Sequence, residues 1–135
     1  MELRGNSGER LAIDRADVGP PGTPGDRDLL LNVSVSVRGY SGNDQCWVTS
    51  ADWEAFVAAL KELERARKGT AVLRGASEEE FEVQFTVIDS SGHTGVSGFL
   101  VWRSSEQFSQ RLEFGFPFDP GLLATTLRGF VALST

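Results

Sequence analysis

Between residues 29 and 37 the chain alternates without a break. Leu29, Leu31, Val33, Val35 and Val37 are interleaved with Leu30, Asn32, Ser34 and Ser36. Side chains two apart share one face of a strand, so this period of two specifies a β-strand with one buried and one wet side. The pattern recurs. Phe81, Val83, Phe85 and Val87 oppose Glu82, Gln84 and Thr86. Val96, Leu100 and Trp102 alternate with Ser97, Phe99 and Val101, a strand apolar on both faces and therefore expected inside a sheet. Phe108, Gln110, Leu112, Phe114, Phe116 and Phe118 share one parity and give the last strand an aromatic face.

Between these runs the punctuation is that of hairpins and two helices. A modest strand covers Arg10 to Ala16, followed by a loop at residues 19–28 that holds three of the five prolines and is expected to be flexible. Tyr40 to Asp44 reads as a turn cluster and Gln45 to Val48 as a short return strand. From Ala51 to Lys68 the apolar stripe Trp53, Phe56, Val57, Leu60, Leu63 predicts a helix. Thr49 or Ser50 would cap it and Gly69 would end it. Ala71 to Arg74 reads as a short strand, while Ser77 to Glu80, Asp89 to Gly92 and Ser104 to Gln107 read as turns. Asp119-Pro120 opens a final helix with Leu123, Leu127, Phe130 and Val131 on its buried side. No stretch repeats another. The expected fold is a single α+β domain over residues 1–135: a mostly antiparallel sheet, curved or sandwich-like, with one central and one C-terminal helix.

Composition limits the chemistry. The chain has one His, one Cys and one Tyr (His93, Cys46, Tyr40) and two lysines, Lys61 and Lys68. General acids, bases, nucleophiles and metal ligands come mainly from such residues. No catalytic constellation is legible, and neither a metal nor a cofactor is expected. One cysteine cannot form an internal disulfide, and no apolar run reaches the roughly 20 residues that span a bilayer. The cytoplasm is the expected location. A formal charge of −6 argues against nucleic acid as a partner, which would need a concentrated basic surface. Arg65, Arg67 and Lys68 cluster at a helix end, where cations complement the dipole.

The remaining motifs have plain structural readings. Asp89, His93 and an intervening serine lie within one turn, whereas a nucleophilic triad is assembled from separated segments. His93 is expected at a strand start, bonded to a backbone carbonyl. Gly92, Gly95 and Gly98 run into a strand, unlike a phosphate loop, which runs into a helix. Glu78-Glu79-Glu80 sits in a solvated turn. Trp47, Trp53 and Trp102 fall where core positions are expected.

The helix Ser50-Ala51-Asp52-Trp53-Glu54-Ala55-Phe56-Val57-Ala58-Ala59-Leu60, the turn Gly92-His93-Thr94-Gly95-Val96 leading into Phe99-Leu100-Val101-Trp102, and the closing leucine-spaced helix from Leu122 to Phe130 resemble a bacterial family of unknown function. The layout is also distantly similar to that of WapI-type immunity proteins, which neutralise a cognate toxin by binding it. The resemblance covers roughly Leu29 to Leu133, and the Gly/Pro loop has no counterpart in it. No catalytic residue carries over, because none is assigned in either group. What the resemblance implies is a non-enzymatic protein-binding module.

Such a module would hold a partner with a basic surface, steered by the acidic chain. The candidate binding residues are Asp89, His93 and Thr94, with the Gly19 to Arg27 loop assumed nearby. A homodimer through an open strand edge is compatible with this. The competing expectation is a small-ligand-binding module with a cavity under the aromatic face from Phe108 to Phe118.

Overall fold

The computed structural model describes residues 1–135. Strands β1 (Glu2–Arg4), β2 (Arg10–Val18), β3 (Leu29–Val37) and β4 (Tyr40–Val48) form an antiparallel sheet in that order. Helix α1 (Ser50–Ala66) crosses to a second antiparallel sheet of β5 (Thr70–Arg74), β6 (Phe81–Val87), β7 (Thr94–Arg103) and β8 (Ser109–Phe118). A 3-10 turn at Pro120–Leu122 then leads into α2 (Leu123–Leu133). This is the α+β class the periodicities predict. Each half is four antiparallel strands followed by a helix, an order repeated in the structure though not in the sequence.

One core of 25 buried residues joins both sheets and both helices. The first sheet contributes the alternating set of β3 together with Leu11, Ile13, Cys46 and Val48. The second contributes Phe81, Val83, Phe85, Val96, Leu100 and the even-numbered phenylalanines of β8. α1 buries Trp53, Phe56, Leu60 and Leu63, and α2 adds Leu123 and Phe130. Aromatic rings close the joint between helices and second sheet. Phe130 meets Phe56, Phe85 and Trp53 edge-on, with centroids 4.9, 5.7 and 5.9 Å apart.

Several boundaries differ from expectation for identifiable reasons. β4 is a full nine-residue strand, paired from Tyr40 opposite Val37 to Val48 opposite Leu29. The turn is therefore only Arg38-Gly39, with Arg38 in the left-handed region at φ 55°. Gly42 pairs with Val35, and the position suits glycine because a Cβ there would lie 2.9 Å from Leu112 Cδ2, where the first sheet approaches the second. α1 ends two residues before the expected Lys68. Arg67 takes the left-handed cap, its N–H donating to Leu63 O. Its guanidinium also donates to Glu64 O and to Pro120 O, tying the helix end to the start of the C-terminal segment.

Of the three tryptophans only Trp53 is core, at 4% exposure. Trp47 is 43% and Trp102 59% exposed. The aromatic face of β8 is committed to that core. Phe114, Phe116 and Phe118 are buried, and Phe118 packs edge-on to Phe85. No helix is long and apolar enough to cross a membrane.

Candidate functional site

The turn carrying Asp89 and His93 is exposed and internally bonded. His93 Nδ1 lies 2.7 Å from Asp89 Oδ2, so the ring meets a carboxylate rather than the expected backbone carbonyl. Asp89 Oδ1 accepts from the N–H groups of Ser91 and His93. No serine hydroxyl joins the pair. Thr94 is 1% exposed, and its hydroxyl donates to Phe118 O, so it locks β7 to β8 and offers nothing to a partner.

The hydrogen bond from the His93 ring, above all, holds the Asp89 carboxyl below the usual carboxylate range. Desolvation opposes it, and the N–H and charge of His93 and the N–H of Ser91 add further to the lowering. A lowered carboxyl pKa contributes stability above the unfolded value of about 3.8, lost as pH falls through the folded value. In His93→Ala the Asp89 midpoint is therefore expected to rise toward 3.8, as followed by carboxyl-carbon NMR. An unchanged midpoint would mean that the turn's N–H groups alone set it.

The Gly19 to Arg27 loop is not beside this turn. Asp28 Oδ1 accepts from Ser50 N at the start of α1, whereas Val87 N donates to Gly69 O just beyond its end. The two segments lie at opposite ends of a 17-residue helix, about 25 Å long at 1.5 Å per residue. The loop is closed on itself by Gly19 N to Asp28 O, Asp26 N to Thr23 O and Asp28 N to Gly25 O.

Reactive chemistry does not assemble elsewhere. Burial, with Asp44 and Glu80 adding to it, pushes the Cys46 thiol up to about 12, so it stays protonated near neutrality and is a poor nucleophile. No three His, Cys, Asp or Glu side chains come together as metal ligands would.

What the structure does assemble is a surface at two neighbouring hairpin tips. Even-numbered positions of β4, β7 and β8 face the interior: Cys46, Val48, Val96, Leu100, Phe114 and Phe116 are buried. The same parity continues past the core to Tyr40, Trp102 and Phe108, which are 72%, 59% and 66% exposed. Trp102 pairs with Gln110, which places Phe108 diagonally across from it, at the turn where Phe108 O accepts from Ser104 N and Ser105 N. The β3–β4 tip lies alongside. Ser41, Gly42, Asn43 and Asp44 form one wall of an open cleft of about 290 Å³ whose other wall includes Leu100, Trp102, Gln110 and Leu112.

This surface was hidden in the sequence, because an aromatic at an inward-facing strand position reads as core. The available signal was position. Trp102 and Phe108 flank the polar Arg103 to Gln107 turn, so they stand at the end of a hairpin longer than the layer that covers it. Comparison with known protein families, curated proteins and solved structures finds no match for this chain.

Proposed function

We propose that the chain is a non-enzymatic protein-binding domain whose partner seats across the β3–β4 and β7–β8 hairpin tips. The observation that carries this reading is the trio Tyr40, Trp102 and Phe108, large aromatics left more than half exposed on two hairpin ends that border one cleft. Exposed apolar patches rimmed by polar residues mark association surfaces, and Trp and Tyr are the commonest energetic anchors of such interfaces. The resemblance to WapI-type immunity proteins supplies the kind of partner, a toxin protein neutralised by occlusion. The mechanism is steric, with the acidic chain steering a basic partner.

The test is affinity capture from the source organism at low and high salt, with the wild-type chain and a Tyr40→Ser/Phe108→Ser double variant as baits. Both substituted side chains are exposed, so thermal unfolding should confirm an intact fold. A stoichiometric protein held by the wild type, weakened by salt and lost with the double variant is the expected result. A partner captured equally by both baits would place the binding surface elsewhere.

A further inference from the structure

β4 is an outer strand of its sheet. Trp47 O accepts from Ala76 N, outside the sheet, so the backbone groups of Trp47 point away from β3. In an antiparallel ladder both groups of a residue point the same way and the direction alternates along the strand. With an unbroken register to β3, Gln45, Asn43 and Ser41 therefore also face outward. The N–H of Gln45 is taken by Asp44 Oδ1. Those of Ser41 and Asn43, and their carbonyls, have no partner in the chain.

These free groups lie on the wall of the cleft already described, opposite Leu100, Trp102 and Leu112. Asp44 lines the same cleft, half-buried and in no ion pair. An open strand edge beside a side-chain pocket is the arrangement that accepts an added strand. The edge supplies main-chain bonds and the pocket selects a side chain. Here the lining includes the Trp102 indole and the unpaired Asp44 carboxylate, while Arg111, on the same wall, has its guanidinium paired with Glu113 and stacked on Phe99. A guanidinium or ammonium satisfies both at once, stacking on the indole and pairing with the carboxylate.

Resting on the protein-binding reading above, we propose that this cleft receives an extended segment of the partner protein, added as a strand to β4 at Ser41 and Asn43, with an Arg or Lys side chain held between Asp44 and Trp102. Arg38 and Arg103, exposed at the two tips and in no ion pair, set the polarity of charge along the segment. Its basic residue lies over the cleft and acidic residues lie toward the tips.

The test selects displayed random linear peptides against the whole chain, then measures binding of the enriched peptides to wild type, Asp44→Asn and Trp102→Ala. Asp44→Asn keeps the side-chain oxygen that accepts from Gln45 N and removes only the charge. The expected result is enrichment of Arg or Lys in extended sequences, protection of the Ser41 and Asn43 amides from hydrogen exchange, and binding weakened about tenfold or more by each substitution. No enrichment, peptides without a basic residue, unprotected β4 amides, or affinity indifferent to Asp44→Asn would each overturn the proposal. A captured protein that needs Tyr40 and Phe108 but ignores Asp44→Asn and leaves the β4 amides unprotected would overturn it too, while leaving the tips as the binding surface.

Discussion

Phe130→Ala is expected to destabilise the fold by about 3 to 5 kcal/mol, the range for removing a fully buried aromatic ring. Phe130 has no exposed surface, and its ring is the common neighbour of Trp53 and Phe56 on α1 and Phe85 on β6. Truncation removes three edge-on ring contacts together with the apolar area, and leaves a cavity that three anchored elements cannot close. α2 has little with which to resist. Thr125, Thr126 and Gly129 are weak helix formers, and no side chain caps the first turn of α2, so docking holds the helix rather than propensity. Against a typical total of about 5 to 15 kcal/mol, the loss would move the urea midpoint far to lower denaturant or leave the chain partly unfolded. Phe108→Ala is the internal control. At 66% exposure it should change stability by no more than about 0.5 kcal/mol. If both variants unfold at the wild-type midpoint, the aromatic joint does not hold α2 to the body.

The parts of this fold that could be read from sequence are those in which one residue pattern meets one covering layer. β3 is the clearest case. Its alternation is complete, and Leu29, Leu31, Val33 and Val35 are all buried. α1 was legible for the same reason, its stripe being the face laid on the core. β1 was not, because three residues with a single buried side chain, Leu3, carry no periodicity. β4 was obscured by local chemistry. Ser41, Gly42, Asn43 and Asp44 are turn formers, and only the register with β3 makes them strand. The same gap hid the candidate surface. Alternation tells which side of a strand faces inward but not how far along the strand the covering layer extends. Leu100 and Trp102, two apart on the same face of β7, therefore look alike in sequence and differ in the structure from 5% to 59% exposure. In sequence Asp89, His93 and Thr94 stand together as candidate binding residues, and in the structure they part. Asp89 and His93 bond chiefly to each other, with Thr94 sealed beneath them.

Gly98→Ala should be the most damaging glycine-to-alanine change in the second sheet, costing about 3 kcal/mol, the upper end of the usual range for overpacking. Gly98 lies within β7, opposite Val83 on one side and Phe114 on the other. A Cβ there would stand 2.0 Å from the carbonyl oxygen of Glu82 and 3.0 Å from Phe114 Cζ. A side chain could rotate away, but a backbone carbonyl in a strand cannot, so the β6–β7 ladder has to part or shear. Gly115→Ala, one strand away in β8, is the matched comparison. Its nearest neighbour would be Ser97 Cβ at 3.5 Å, an ordinary contact. The lost backbone freedom of the unfolded chain then favours the variant by up to about 1 kcal/mol. Urea unfolding of the pair separates the close approach at Gly98 from any general cost of alanine in these strands, and equal midpoints would remove it. The comparison also reaches the candidate surface, because Trp102 is carried on the same strand four residues beyond Gly98. A shear of β7 against β6 displaces the indole from the β4 edge. Gly98→Ala protein that still folds should therefore show an altered Trp102 environment by indole N–H chemical shift, while Gly115→Ala should not. Damage of that kind would tie the glycine that the sheet needs to the cleft that the sheet builds.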